Sequence, residues 1–312
     1  MAVVAIAVLP GCGHRPDLLE ASSRPVNSIY HWKTVFDLDS AEMAFLQKHD
    51  IGRVYVRMFD VAPEYDFLNC VTDVVPIATT KFVSPVPEGV EIVPVTYITI
   101  EALRAMEGRE EEIATLIVER MLAMCSYNEC GKINELQLDC DWTGTTKDSY
   151  NKLCGAVKDL LHEKGISLSI TIRLHQLRET PPPADCGVLM LYNTGSLKNP
   201  STGNSILSYD VVETYVKPTE YPMPLDYAYP IFSWGVKFAD NKFVSIVPYG
   251  SREISGNEYI RNERPNIYTI LGVKELVEQK IGKPARGNIL YHLDYSQFKN
   301  YTDDEISKIL SY

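Results

Sequence analysis

Eight short apolar segments recur along the chain, and amphipathic helical stretches separate most of them. The strand-like segments are Ile29–Phe36, Arg53–Phe59, Ile92–Ile98, Glu135–Asp141, Ser167–Leu174, Gly187–Asn193, Tyr227–Trp234 and Asn288–Asp294. Helical spacing is read over Ser40–His49, Glu101–Met124, Lys147–Glu163, Ser208–Val216, Ile270–Ile281 and Thr302–Leu310. In the third of these, Leu153, Val157, Leu160 and Leu161 recur at steps of three and four, the period of one buried helix face. Asp303, Asp304 and Glu305 suit the positive end of the last helix. Strand and helix alternating eight times predict an α/β fold, a (β/α)8 TIM barrel, over residues 28–312. An open doubly wound sheet is the competing architecture, but its Gly-rich first turn, G-x-G-x-x-G, is missing from the sequence. Three regions read as irregular insertions. Residues 60–91 and 175–186 are Pro-bearing and lack a helix pattern, and residues 235–265 read as a hairpin followed by a loop.

Composition narrows the function. The 312 residues include 30 Lys plus Arg against 41 Asp plus Glu, a net charge of −11. Such a surface repels phosphate backbones, so nucleic acid is not an expected partner. No apolar run reaches the roughly 18 residues of a membrane span. Nineteen tyrosines suit a surface that meets carbohydrate or peptide, although cores use Tyr as well. A monomer without cofactor is expected.

The seven cysteines form no C-x-x-C pair and stand at no zinc-ligand spacing from a histidine, so no metal site is expected. Cys12 ends the apolar run Met1-Ala-Val-Val-Ala-Ile-Ala-Val-Leu9-Pro10-Gly11-Cys12. That ending resembles the lipobox of a bacterial lipoprotein, although Pro10 is atypical and no basic residue precedes the run. The resemblance implies a signal-like segment over 1–12, a tether over 13–27 and lipid attachment at Cys12 after export, which would be the chain's one link to a membrane. In an exported protein Cys125 and Cys130 could pair.

The chemistry concentrates in Glu135-Leu136-Gln137-Leu138-Asp139-Cys140-Asp141-Trp142. Alternate side chains of a strand share a face. Leu136, Leu138 and Cys140 are expected to meet the helices, and Gln137, Asp139 and Asp141 to point into the barrel. Two inward carboxylates two residues apart repel, so they hold a cation, pair with Arg or do acid–base work. The following strand repeats the pattern: Ser169, Thr171, Arg173 and His175 share its polar face. Arg57 or Arg173 is the expected partner of Asp139, the deeper acid, leaving Asp141 at the mouth. Further mouth candidates stand near strand ends: Asp60, Glu101, Asn193, Asp226, His292 and Asp294. Trp142 and Trp234, and less strongly Trp32, are candidate sugar-stacking platforms, with core packing as the alternative. His175 and His292 read as hydrogen-bonded barrel residues rather than metal ligands.

Leu138-Asp139-Cys140-Asp141-Trp142 resembles the fourth-strand signature of chitinase-type, family 18-like glycoside hydrolases, Asp-x-Asp-x-Glu. The position of the catalytic Glu is Thr143 here. Gln-Leu-Asp-x-Asp followed by Leu-Ser-Ile-Thr-Ile-Arg is also similar to an uncharacterised bacterial family of exported, TIM-barrel, glycosidase-like proteins. These resemblances imply a barrel and a glycan or other small polar ligand. The first expected function is a glycan-active enzyme, with Asp141 as one carboxyl and Asp294 or Glu101 as the second, because such enzymes commonly use two. The second is a carbohydrate-binding lipoprotein that has lost catalysis. A metal-dependent hydrolase ranks third, for want of paired histidines.

Overall fold

A computed structural model describes residues 25–67, 70–217 and 220–312. The proposed signal-like segment, Cys12 and most of the tether lie outside the described residues. Among those described, eight parallel strands close into a barrel: β1 (Asn27–His31), β2 (Ile51–Asp66), β3 (Glu91–Ile98), β4 (Glu135–Asp139), β5 (Ser167–Arg173), β6 (Cys186–Met190), β7 (Leu225–Pro230) and β8 (Asn288–Tyr291). Each pairs with the next in chain order, and β8 returns to β1, with Ile29 opposite Leu290. The fold is the expected (β/α)8 barrel, and each of the eight segments read from the sequence supplies one of its strands.

Alternation along each strand divides the apolar residues between two cores. Tyr30, Tyr55, Val93, Val95, Val188 and Met190 pack inside the barrel. Leu136, Leu138, Cys140, Leu168 and Ile170 face outward into the shell shared with the helices, where Leu153, Val157 and Leu161 of Lys147–His162 meet them. Helix starts follow local chemistry. Asp39 and Glu42 form a reciprocal capping box on Ser40–Lys48, and Thr302 and Glu305 do the same on Asp303–Leu310.

Four local expectations are corrected. The helix expected over Glu101–Met124 is two helices, Ile100–Ala105 and Glu110–Tyr127, because Gly108 takes a left-handed φ of +84° between them. Strand β4 ends at Asp139, so Asp141 stands on the loop beyond it. The Pro-bearing region after residue 60 is a hairpin, in which β2 runs on past the barrel rim and Asp60–Asp66 pairs antiparallel with Val71–Ile77. The insertion after β7 carries a third strand, Glu258–Glu263, beside Trp234–Ala239 and Lys242–Val247. The sequence of that strand is mostly polar and gives little apolar signal. Residues 175–186 hold no full helix; the chain makes a short 3-10 turn, Leu174–Arg178.

Candidate functional site

Strand β4 builds the barrel axis one pleat at a time. Glu135, at its start, accepts from Arg286 Nη1 at 2.5 Å, while Arg286 Nε reaches Asp226 at 2.8 Å. This buried network plugs the N-terminal end of the barrel, where Tyr55 also meets Arg286 at 3.2 Å. Asp226 therefore belongs to the floor and not to the mouth. It enters β7 near its first residue, and a residue preceding a parallel strand lies at the opposite end from one following it. Gln137 forms the middle layer, accepting from the Tyr30 hydroxyl at 2.7 Å and donating to Ser169 at 3.1 Å.

Asp139 forms the top layer. It is 3% exposed and accepts from Thr171 at 2.5 Å and from Arg173 Nη2 at 2.9 Å. Burial pushes its carboxyl above the usual range, and Arg173 and Thr171 oppose that shift. Arg173 Nε bonds Asp141 in turn, so a single guanidinium holds both acids. Arg57 goes elsewhere: its Nε donates to Asp60 at 2.7 Å, and its guanidinium lies 5.7 Å from the Trp32 ring centre. Of the two arginines expected for Asp139, the structure selects Arg173.

Asp141, whose side chain is 44% exposed, opens onto a hollow of about 260 Å³. Arg173, His175, Tyr192, Asn193 and Tyr215 help to line it. The structure thus brings Asp141, Arg173, His175 and Asn193 together. Tyr192, Tyr97 and Tyr291 were missed by sequence reasoning. Burial pushes all three phenols up, and nearby Asp139 pushes them further, so they remain neutral O–H groups around the two acids. The alternation that marked Asp139 also marks Tyr97, on an inward pleat of β3 beside it, but a lone Tyr carries no charge pattern to draw the eye.

The other candidates are placed differently. Glu101 is exposed in the first turn of Ile100–Ala105 and does not line the hollow. Asp294 caps the short helix Tyr295–Phe298, accepting from the Ser296 N–H at 2.8 Å. His292 and Trp234 line a neighbouring hollow of about 450 Å³, reached past Tyr192 and Asn193. Trp142 is corrected to a core residue: it is 2% exposed, stacked 6.4 Å from Tyr150 and covered by Lys147 at 5.6 Å. It follows Asp141 by one residue, and strand-like alternation turns it outward. Thr143 is exposed, and its hydroxyl lies 3.1 Å from that of Thr145 within its own loop. Cys125 and Cys130 are free thiols in the structure.

The chain matches no protein-family profile and no curated protein. Its fold resembles solved structures of low sequence identity. A chitinase from Chromobacterium violaceum superposes with a TM-score of 0.56 at 11% identity, covering 92% of this chain and 99% of the other. A chitinase from Bacteroides thetaiotaomicron gives 0.54 at 12%, covering 92% and 97%. The spore cortex-lytic enzyme SleL of Bacillus cereus gives 0.52 at 12%, covering 92% and 75%. The chain therefore shares the barrel fold of these structures.

Proposed function

We propose that the barrel mouth binds a glycan and does not cleave it. The observation that carries this reading is the state of Asp141. It is the one carboxylate among the described residues lining the polar hollow, and Arg173 holds it. Glycoside hydrolysis commonly needs two carboxyl groups facing the bond, one of them able to give a proton. At the position of that acid in the chitinase-type signature stands Thr143, whose hydroxyl is far too weak an acid to protonate a leaving group and contacts its own loop. What remains suits recognition: a carboxylate, a fixed guanidinium, an amide and neutral phenols, each able to bond a sugar hydroxyl. The Arg173 guanidinium already pairs with both Asp139 and Asp141, which leaves these acids poorly placed to hold a metal ion and disfavours metal-dependent hydrolysis.

Hydrolysis is the second reading, favoured by the open face of Asp141. A panel of oligosaccharides separates the two. Calorimetry should detect binding that Asp141→Asn weakens at least tenfold, with no new reducing ends after prolonged incubation. Reducing ends released by the native chain and lost in Asp141→Asn would establish the hydrolase instead.

Export and lipid attachment at Cys12 are part of the proposal and rest on the sequence of residues 1–12. Mass spectrometry of the protein from its native host should find an acylated Cys12 as the first residue. An intact, unacylated Met1 terminus from a verified start codon would refute it.

A further inference from the structure

Glu263 ends the insertion's last strand at 1% exposure, and a carboxylate buried that deeply must have its oxygens satisfied. Oε2 accepts from the Ser205 N–H at 2.9 Å, the Ser205 hydroxyl at 2.5 Å and the Trp234 indole N–H at 2.9 Å. Oε1 accepts from Arg261 Nε at 2.5 Å, and the other arms of Arg261 donate to the Asn199 and Leu197 carbonyls at 2.7 and 3.1 Å. One carboxylate thus ties the loop after β6 to both the first and the last strand of the insertion. It also fixes the rotation of the Trp234 ring, because the indole N–H has a single anchored direction. Phe232 packs against that ring at 5.2 Å in a T-shaped arrangement.

The ring helps to wall the larger hollow, together with Phe232 and Tyr291. His292 is the titratable nitrogen base in that wall, and burial lowers its pKa to about 4, with Asp294 opposing and Lys33 adding to the shift. The hollow is therefore aromatic and uncharged near neutral pH. It shares Tyr192 and Asn193 with the polar hollow that Asp141 opens onto.

We propose that the aromatic hollow is a second sugar subsite, in which Trp234 offers its face to a neutral pyranose ring, and that Glu263 is the positioning residue that holds Trp234 there. The inference rests on the glycan-binding reading and deepens it: two hollows joined at Tyr192 and Asn193 take an oligosaccharide in preference to a single sugar. A ring already fixed by Glu263 loses little freedom on binding, which is how preorganisation raises affinity.

The test is calorimetric titration of the full chain with N-acetylglucosamine and its β-1,4-linked trimer, and with glucose and cellotriose. One trimer should bind at least tenfold more tightly than its monosaccharide. Trp234→Ala should collapse that ratio towards one. Trp234→Phe keeps the ring but loses the N–H that Glu263 anchors, and should lower the ratio several-fold. Glu263→Gln, if folded by circular dichroism, should also lower the ratio and should lose the change in tryptophan emission that the trimer causes in the native chain. An unchanged ratio in folded Trp234→Ala and Trp234→Phe overturns the subsite. Equal affinity for trimer and monosaccharide, with sensitivity to Asp141→Asn, overturns it while the glycan-binding reading stands. Binding of none of the four sugars overturns both.

Discussion

Arg173 is the residue on which the mouth depends, because two acids of different depth share it. Asp139 is buried with Thr171 and Arg173 as its partners, so removing it leaves the guanidinium short of a deep counter-charge. Asp139→Ala should cost about 3–5 kcal/mol, the usual penalty for breaking a buried pair, and a urea titration measures it. Asp141 is half exposed and its loss leaves the Arg173–Asp139 bond in place. Asp141→Asn should therefore melt within a few degrees of the native chain while losing glycan affinity. The reverse pattern would mean that the deeper acid is the functional one. The inward direction of both acids was legible in the sequence from their spacing of two. The choice of Arg173 over Arg57 was not. Arg57 sits beside Asp60, three residues on at the start of the rim hairpin, and that nearer carboxylate takes it.

Among the secondary-structure elements, the apolar period located strands well and their ends poorly. Ends are set by what the next residues meet in space. Gly108 splits one expected helix into two, and the strand Glu258–Glu263 exists because Trp234–Ala239 offers it an edge to pair with. Barrel closure has its own local requirement at Gly287, just before β8. Its φ is +153°, and a Cβ built there would lie 2.4 Å from the Val26 carbonyl oxygen. That oxygen belongs to backbone that cannot turn aside without loosening the join between β8 and β1, where Val26 N–H also bonds Arg286 O at 2.8 Å. Gly287→Ala should destabilise the fold by about 1–3 kcal/mol or more, as overpacking does, read as a lowered denaturant midpoint. An unchanged midpoint would show that β1 and β8 can part at no cost.

In the molecule as a whole, barrel closure buries groups that an open chain leaves in water. His31 and His292 are examples. Burial is the main cause that lowers each pKa to about 4; Lys33 adds to both shifts, their mutual repulsion adds to that of His31, and Asp294 opposes both. In the unfolded chain both titrate near the ordinary value of about 6.5. Between these two values the unfolded chain binds protons that the folded one refuses, so this stability is whole above pH 6.5 and is lost as pH falls towards 4. Urea midpoints should drop over that window, and a His31→Gln, His292→Gln double variant should show a visibly shallower drop. A drop of equal depth in both proteins would assign it to other groups. The sequence by itself determined the barrel class, its eight strands and the inward acids Asp139 and Asp141 at and just beyond the end of β4, because burial in a closed parallel barrel imposes a period that single residues can display. Only the tertiary structure decided which arginine answers Asp139, that Asp226 lies at the floor, that Trp142 is core, and that Glu263 anchors Trp234. Apart from Trp142, which packs on its own following helix, each of these is a contact between segments far apart in the chain, and such contacts are fixed by register and closure, which no local pattern encodes.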